Sequence, residues 1–222
     1  MSPTEPAPEG KIRAIVFDIG QVILQVDFSK AVQTFAAARA MEPLAVIDAI
    51  SRSPELESYD RGRMSCDDFY AALRSRFDLK LPDPELRSLW TEIFEENRPA
   101  VEFVRAMKAK SDRRGLPMYL LSNTCRSHVE RFEADYDVFT LFDDRIYSCD
   151  VGLMKPQKEI FELAVKKFRL TPWQSLFIDD RLENVSAARE LGFQTIHCTS
   201  NEALFDGLRR WDLADEHGLP VE

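Results

Sequence analysis

The sequence lacks the features that mark membrane-spanning, disulfide-stabilised and nucleic-acid-binding proteins. No apolar run approaches the roughly 18 residues needed to cross a bilayer. The 4 cysteines lie far apart with no C-x-x-C pair, which argues against a zinc site and against a disulfide framework. Acidic residues outnumber basic ones, 38 to 29, and the net charge of −9 disfavours nucleic acids and membranes as partners, since both require a basic surface.

The composition is that of a folded protein, because 45% of the 222 residues are hydrophobic and this is ample for a packed core. Residues 1–10 are rich in Pro and Glu and lack the basic and apolar parts of a secretory signal, so they are predicted to form a flexible leader. We expect a cytoplasmic protein that is a monomer or a homodimer. A small anionic substrate is compatible with the net charge, because a few local cations can outweigh the global field.

Short apolar runs that end in polar residues are typical of strands covered on both faces in a parallel sheet. The first run spans residues 14–17. From about residue 101 onward, helical patterns alternate with strand-like runs, which are predicted at 118–121, 146–148, 175–178 and 194–197. This alternation predicts right-handed crossovers, with the first strand packed among the later ones. The predicted fold class is therefore α/β, a Rossmann-like parallel sheet core with helices on both faces.

The segment between the first strand and these repeats has a different character. Apolar residues recur at helical spacing from Phe28 to about Asn97, and no strand-like run interrupts them. We interpret this segment as an all-helical cap domain, residues 26–97, inserted into an α/β core domain made of residues 11–25 and 98–222. The cap is expected to cover the carboxyl ends of the strands.

Polar residues collect at those strand ends. They are Asp18, Ser122 with Asn123, Lys155, and Asp179 with Asp180. Ligands of parallel sheets bind outside the carboxyl ends of the strands, so these residues are expected to share one site. Three carboxylates would repel one another unless a cation lay among them, and hard oxygen ligands suit Mg²⁺. In phosphoryl transfer a carboxylate can act as nucleophile while hydroxyl, amide and ammonium groups donate to phosphate oxygens.

The ordered set resembles the four motifs of the haloacid dehalogenase-like (HAD) hydrolase superfamily, in its subgroup of phosphatases with a helical cap. The matches are VFDIG at 16–20, LLSN at 120–123, KP at 155–156 and FIDD at 177–180. The resemblance implies a hydrolase with a Mg²⁺ cofactor, which cleaves a small phosphorylated metabolite through an aspartyl-phosphate intermediate.

The same resemblance implies roles for individual residues. Asp18 would be the nucleophile, and Lys155 the second catalytic residue. Substrate phosphate would be bound by Ser122, Asn123 and Lys155. The metal site would comprise Asp18, the Gly20 carbonyl, Asp180 and Asp179, the last acting through a water molecule or by steering Lys155. Asn184 would order the loop that carries the acidic pair.

Gly20 departs from the family pattern. Most family phosphatases have a second Asp there, as the acid that protonates the leaving group and the base that activates water. Hydrolysis would persist with a good leaving group such as a sugar 1-phosphate. Alternatively, the enzyme is a 2-haloacid dehalogenase-type hydrolase, because halide leaves without a proton. Asp27 could replace the missing acid, or it could serve as a linker or capping residue.

Two further observations favour a phosphatase. Halide displacement needs no divalent cation, so the acidic pair Asp179 and Asp180 argues for phosphate chemistry. The sequence is also similar to the glucose 1-phosphate phosphatase branch, which shares the Gly at position 20 and an Arg-Gly pair like Arg61 and Gly62. This second likeness favours a sugar phosphate.

Several alternatives stay open. The protein could be a catalytically weak phosphate-binding member of the same fold, or a phosphotransferase. The residues of one cap turn could line the substrate pocket or form a solvated charged turn; they are Tyr59, Asp60, Arg61 and Arg63. His128 could face the pocket, pack in the interior or lie in solvent.

Overall fold

The computed structural model describes residues 10–114 and 116–221, so nearly all of the predicted leader lies outside the described residues. The described strands are β1 (Ala14–Phe17), β2 (Leu24–Val26), β3 (Phe94–Glu96), β4 (Met118–Ser122), β5 (Asp144–Tyr147), β6 (Ser175–Asp179) and β7 (Gln194–His197). The described helices are α1 (Ser29–Arg39), α2 (Pro43–Ser51), α3 (Pro54–Asp60), α4 (Cys66–Phe77), α5 (Asp83–Thr91), α6 (Arg98–Arg114), α7 (Arg126–Asp135), α8 (Ser148–Val151), α9 (Lys158–Phe168), α10 (Leu182–Glu190) and α11 (Asn201–Arg210). None of these helices combines the length and the apolarity needed to cross a membrane.

The main sheet of the described chain is parallel, with strand order β5-β4-β1-β6-β7. Strand β1 lies at its centre, where Val16 pairs with Tyr119 on one side and with Phe177 on the other. Ile15 and Phe17 enter the apolar core on one face of the sheet, whereas Ala14 and Val16 enter the core on the other face. Burial on both faces explains why β1 is a continuous apolar run, and the predicted α/β class is confirmed.

Most of the predicted strands of the repeated part agree with the structure to within one residue, but β5 is displaced. It occupies Asp144–Tyr147 instead of 146–148, and α8 begins at Ser148. Asp144 and Arg145 lie at the edge of the sheet, where their backbones pair with β4 while their side chains are only partly covered. An apolar pattern cannot detect strand residues that are held by backbone pairing alone.

The prediction that no strand interrupts the helical segment is wrong. Phe94–Glu96 forms β3, which pairs antiparallel with β2, so that Leu24 faces Glu96 and Val26 faces Phe94. We call this two-stranded sheet the β2–β3 ribbon. Two glutamates in three residues disfavour a strand locally, and the strand exists because the incoming and outgoing segments of the insert meet there.

Helices α1 to α5 build an apolar cluster of their own. Within it Phe35 stacks on Phe77 with ring centroids 5.2 Å apart, and Tyr59 stacks on Phe69 at 4.2 Å. The buried members of this cluster come from residues 31–90, with the addition of Cys125 from the segment after β4. The boundaries of the cap at residues 26 and 97 stay a prediction, which this separate cluster supports.

The helical segment is joined to the core through the turn after α3. Arg61 donates from its guanidinium to the Gly152 carbonyl at 2.9 Å and to Gln157 Oε1 at 3.0 Å. Ser148 Oγ donates to the Asp60 carbonyl at 2.6 Å. Gly62 approaches so closely that an added Cβ would lie 2.0 Å from the Cys149 carbonyl oxygen, and its φ is +65°. Asp60 and Arg61 are therefore docked on the core, whereas Arg63 is exposed to solvent.

Replacing Gly62 with Ala is expected to destabilise the fold by about 2 to 4 kcal/mol, because the side chain meets a backbone carbonyl and the left-handed conformation also disfavours Ala. Gly152→Ala is the matched control. Gly152 has a φ of +73°, but its added Cβ would approach the Arg61 carbonyl oxygen only to 3.9 Å. Urea unfolding should show a smaller loss of about 1 kcal/mol for this variant. Equal losses for the two variants would contradict the close-approach argument.

Candidate active site

Three carboxylates and one ammonium meet at the carboxyl ends of the central strands. Asp18 follows β1, and Asp179 and Asp180 lie at the end of the adjacent β6. One oxygen from each of these three carboxylates lies within 4.8 Å of the others. Lys155 Nζ lies between two of them, 2.9 Å from Asp18 Oδ1 and 2.6 Å from Asp179 Oδ2. The parallel order of the sheet brings together residues that are far apart in the sequence.

These groups are buried, and this determines their ionisation. Burial raises the pKa of Asp18 to about 6; the Lys155 ammonium opposes this rise and the Asp179 carboxylate adds to it. Partial burial and the neighbouring Asp179 also raise the pKa of Asp180. Burial alone would lower the pKa of Lys155, but attraction to the Asp18 and Asp179 carboxylates outweighs it, so the pKa of the ammonium is raised. Lys155 is therefore a fixed positive charge at neutral pH.

The charge of the cluster fits the predicted Mg²⁺ cofactor. Three carboxylates face the single ammonium of Lys155, so their negative charges outnumber the one positive charge among them, and burial, with the neighbouring Asp179 adding to it, raises the pKa of Asp18 and of Asp180. A divalent cation would balance this excess of negative charge, and oxygen ligands are those that Mg²⁺ prefers. Asp18 and Asp180 are the carboxylates best able to hold such an ion, because both oxygens of the Asp179 carboxylate have other partners.

Asp179 is held by hydrogen bonds from its own loop. Asn184 Nδ2 donates to both of its oxygens, at 2.9 and 3.1 Å, and the backbone N–H of Arg181 donates to Oδ1 at 2.9 Å. Lys155 takes Oδ2. With its oxygens occupied, Asp179 is suited to hold Lys155 in position, and Asn184 orders this loop.

Asn123 holds the backbone of Lys155 in place. Its Oδ1 accepts from the Lys155 backbone N–H at 2.8 Å, and its Nδ2 donates to the Lys155 carbonyl at 2.8 Å. The amide therefore joins the end of β4 to the loop that carries the lysine. Ser122, the last residue of β4, is 3% exposed and lies on the wall of the adjacent cavity.

A cavity of about 300 Å³ lies beside this cluster, between the core and the helical segment. Gly20, Ser122 and Asn123 border it on the core side, and helices α1, α2, α3 and α5 contribute most of the remaining wall. Asp60 also lines the cavity, and burial raises the pKa of its carboxyl group to about 6, against the attraction of His128.

His128 both packs in the interior and borders the cavity. Its ring stacks on Trp90 at a centroid distance of 5.6 Å, and its Nε2 lies 2.9 Å from the Trp90 carbonyl oxygen. Burial lowers the pKa of His128 to about 4, so the imidazole is neutral at physiological pH. Of the three alternatives for this residue, solvent exposure is wrong.

Asp27 does not supply a proton donor. It is exposed, and its carboxylate accepts from the Ser29 backbone N–H at 2.8 Å at the start of α1. Hydrogen bonds from Ser29 lower the pKa of Asp27, so this side chain is ionised at neutral pH. The capping alternative is the one that the structure favours. Asp60, which the sequence did not single out as a proton donor, is the acidic side chain on the cavity wall.

Curated proteins of similar sequence include two phosphatases. D-ribitol-5-phosphate phosphatase of Bacteroides thetaiotaomicron is 28% identical over 191 residues, which cover 83% of this chain and 90% of the relative. Sesquiterpene phosphatase astK of Aspergillus oryzae is 26% identical over 198 residues, which cover 89% of this chain and 95% of the relative.

Solved structures with the same fold include a HAD family enzyme from Bacteroides thetaiotaomicron in complex with magnesium and inorganic phosphate. It superposes with a TM-score of 0.71 at 19% identity, covering 83% of this chain and 92% of that one. The family described as haloacid dehalogenase-like hydrolase matches residues 12–192, which include strands β1 to β6 and the helical segment. The chain therefore belongs to the haloacid dehalogenase-like hydrolases.

Proposed function

We propose that the protein is a Mg²⁺-dependent phosphomonoesterase that acts on a small phosphorylated metabolite, with Asp18 as nucleophile. The observation that carries the proposal is the contact of Lys155 with both Asp18 and Asp179, because it fixes a positive charge beside a carboxylate at the ligand-binding edge of the sheet. Both relatives described above are named as phosphatases.

In the first step of the proposed mechanism, Asp18 attacks phosphorus. Its Oδ1 already contacts Lys155 and accepts from the Ile19 backbone N–H at 2.7 Å, so Oδ2 is the attacking oxygen. A bond forms between Oδ2 and phosphorus while the ester P–O bond breaks, and the alcohol oxygen takes a proton from water. Lys155 and the Ser122 hydroxyl donate to the phosphate oxygens and stabilise the transition state.

In the second step, water hydrolyses the aspartyl phosphate. The water oxygen forms a bond to phosphorus, the bond between phosphorus and Asp18 Oδ2 breaks, and one proton of this water neutralises the hydroxide formed in the first step. Inorganic phosphate leaves, and the Asp18 carboxylate is regenerated. Asp179, Asn184 and Asn123 keep the Lys155 ammonium in place through both steps. Asp18, the Gly20 carbonyl and Asp180 would hold magnesium, which would supply positive charge to offset the charge of the phosphate group.

The identity of the organic group is a separate question. One relative is named for ribitol 5-phosphate, a polyol ester, and the other for a sesquiterpene, a hydrocarbon. The likeness to the glucose 1-phosphate phosphatase branch favours a sugar phosphate, and this stays a prediction. The helical segment, as the proposed cap, would contact whichever group the substrate carries.

Removal of the metal tests the proposal. Phosphate release from acetyl phosphate, glucose 1-phosphate and glucose 6-phosphate is to be measured with Mg²⁺ and with EDTA. We expect EDTA to lower the rate by about 100-fold or more, because the metal contributes several kcal/mol of transition-state stabilisation. Equal rates in EDTA would contradict a metal-dependent site. Halide release from 2-haloacids without metal, with no phosphate release, would instead support the dehalogenase alternative.

Introducing the absent acid tests the interpretation of Gly20. An added Cβ at Gly20 meets only Val26 Cγ2, at the ordinary contact distance of 3.7 Å, so Asp can be accommodated there. We expect Gly20→Asp to raise the rate of hydrolysis of glucose 6-phosphate, whose alkoxide is a poor leaving group, about 10-fold or more relative to that of acetyl phosphate, whose acetate is a good one. Gly20→Asn, which cannot donate a carboxylic proton, is the control. An equal effect of Asp and Asn would contradict the interpretation.

A further inference from the structure

The cavity beside the acidic cluster has mainly apolar walls. Side chains from four helices and the segment before them contribute to it, chiefly Phe28, Val32, Ile47, Ile50, Leu56 and Trp90. Its volume of about 300 Å³ is at the lower end of the range for small-molecule sites. Ile47 and Ser51, both exposed residues of α2, lie where the cavity opens towards solvent.

The cavity is continuous with the proposed phosphate site. Gly20, two residues after Asp18, lies on its wall, as do Ser122 and Asn123. The organic group of a phosphate ester held by Ser122 and Lys155 can therefore extend into this space. The organic group of the substrate then lies against the apolar wall.

Three of the polar side chains on the wall already have partners within the protein. The Asn123 amide is engaged by the Lys155 backbone through both its oxygen and its nitrogen. His128 Nε2 contacts the Trp90 carbonyl, and Ser51 Oγ donates to the Asp48 carbonyl. In the described part of the chain, Asp60 is the one charged side chain on this wall. Most of the remaining wall is apolar, so a sugar would bury several of its hydroxyl groups against hydrocarbon side chains that cannot pair with them, which is costly.

We infer that the substrate is the monophosphate ester of an apolar alcohol, whose hydrocarbon group fills the cavity lined by Phe28, Val32, Ile47 and Trp90. The inference rests on the phosphatase function proposed above and selects among its possible substrates. Hydrocarbon burial supplies binding energy in proportion to the area removed from water, whereas hydroxyl groups would lose their hydrogen bonds to water.

A matched pair of substrates tests the inference. Hexyl phosphate and sorbitol 6-phosphate have the same number of carbon atoms and differ in the hydroxyl groups of the chain. We expect kcat/KM for hexyl phosphate to exceed that for sorbitol 6-phosphate by about 100-fold or more, since each buried methylene contributes about a fourfold factor. Acetyl phosphate, which has almost no organic group, reports the phosphatase chemistry alone.

The outcomes separate the two proposals. Hydrolysis of acetyl phosphate with equal or better use of sorbitol 6-phosphate would overturn the inference and leave the proposed function intact. Hydrolysis of acetyl phosphate without use of hexyl phosphate would overturn it as well. Absence of hydrolysis of all three compounds would overturn the proposed function and this inference with it.

Two substitutions on α2 test whether the preference for hexyl phosphate arises in this cavity. Ile47 lines the cavity and is 47% exposed, so Ile47→Asn changes the wall without removing a fully buried side chain. Leu44 lies one helical turn earlier, is 78% exposed and does not line the cavity, so Leu44→Asn is the matched control. We expect Ile47→Asn to lower kcat/KM for hexyl phosphate about tenfold relative to acetyl phosphate, and Leu44→Asn to leave the ratio unchanged. An unchanged ratio in Ile47→Asn would overturn the assignment of the cavity.

Discussion

Replacement of Asp18 by Asn is expected to reduce phosphate release by about 1,000-fold or more, because the amide cannot form the covalent intermediate. The fold is expected to persist, since Asn has nearly the same shape and Lys155 keeps its 2.6 Å contact with Asp179. The measurement is steady-state phosphate release with Mg²⁺, accompanied by circular dichroism and thermal unfolding of both proteins.

The control for this substitution is Asp27→Asn. Asp27 caps the start of α1, and Asn caps a helix about as well as Asp does. Wild-type activity is expected in this variant, which also tests whether Asp27 supplies a proton. Full activity in Asp18→Asn would reject Asp18 as the nucleophile. Loss of activity in Asp27→Asn would instead support Asp27 as the proton donor, which the structure disfavours.

Replacement of Lys155 by Met is expected to abolish detectable activity and to destabilise the folded protein by about 3 kcal/mol in the absence of metal. The Lys155 side chain is 1% exposed and contacts two carboxylates whose side chains are 10% and 0% exposed. Removal of the ammonium leaves both buried charges without their cation. Urea unfolding with and without Mg²⁺ measures the effect, and added Mg²⁺ is expected to restore part of the lost stability.

Lys158→Met serves as the control for Lys155→Met. Lys158 pairs with Glu162 on the surface of α9, and its side chain is 65% exposed. Exposed pairs of this kind contribute little, so no measurable change in unfolding is expected. Unchanged stability of Lys155→Met, or the same small effect in both variants, would show that the buried charges are balanced in another way.

The cluster could be predicted from the sequence because its carboxylates and Ser122 lie at the ends of buried strands. Asp18, Ser122 and Asp179 all lie at strand ends, and the α/β alternation alone requires these ends to meet at one edge. Lys155 lies in the loop between α8 and α9, and it was predicted to share this site although no strand ends at it. The sequence therefore predicts which side chains meet, although the roles of the individual residues stay proposals.

Features built from distant segments could not be predicted in this way. Phe28 precedes α1 and Trp90 belongs to α5, and no local pattern shows that they line a common cavity with Ser122. The β2–β3 ribbon exists because two segments about seventy residues apart in the chain are adjacent in space. Asp60 illustrates the same limit, since its burial depends on packing against the core and not on its sequence neighbours.

The β2–β3 ribbon has a mechanical consequence for the helical segment. The ribbon spans both connections between this segment and the sheet, and the backbones of Leu24–Val26 and Phe94–Glu96 are hydrogen-bonded to each other. The two connections therefore cannot swing independently, because separating them would break those hydrogen bonds. A movement of the helical segment relative to the sheet would therefore bend or twist the ribbon as a unit, which leaves that movement few degrees of freedom.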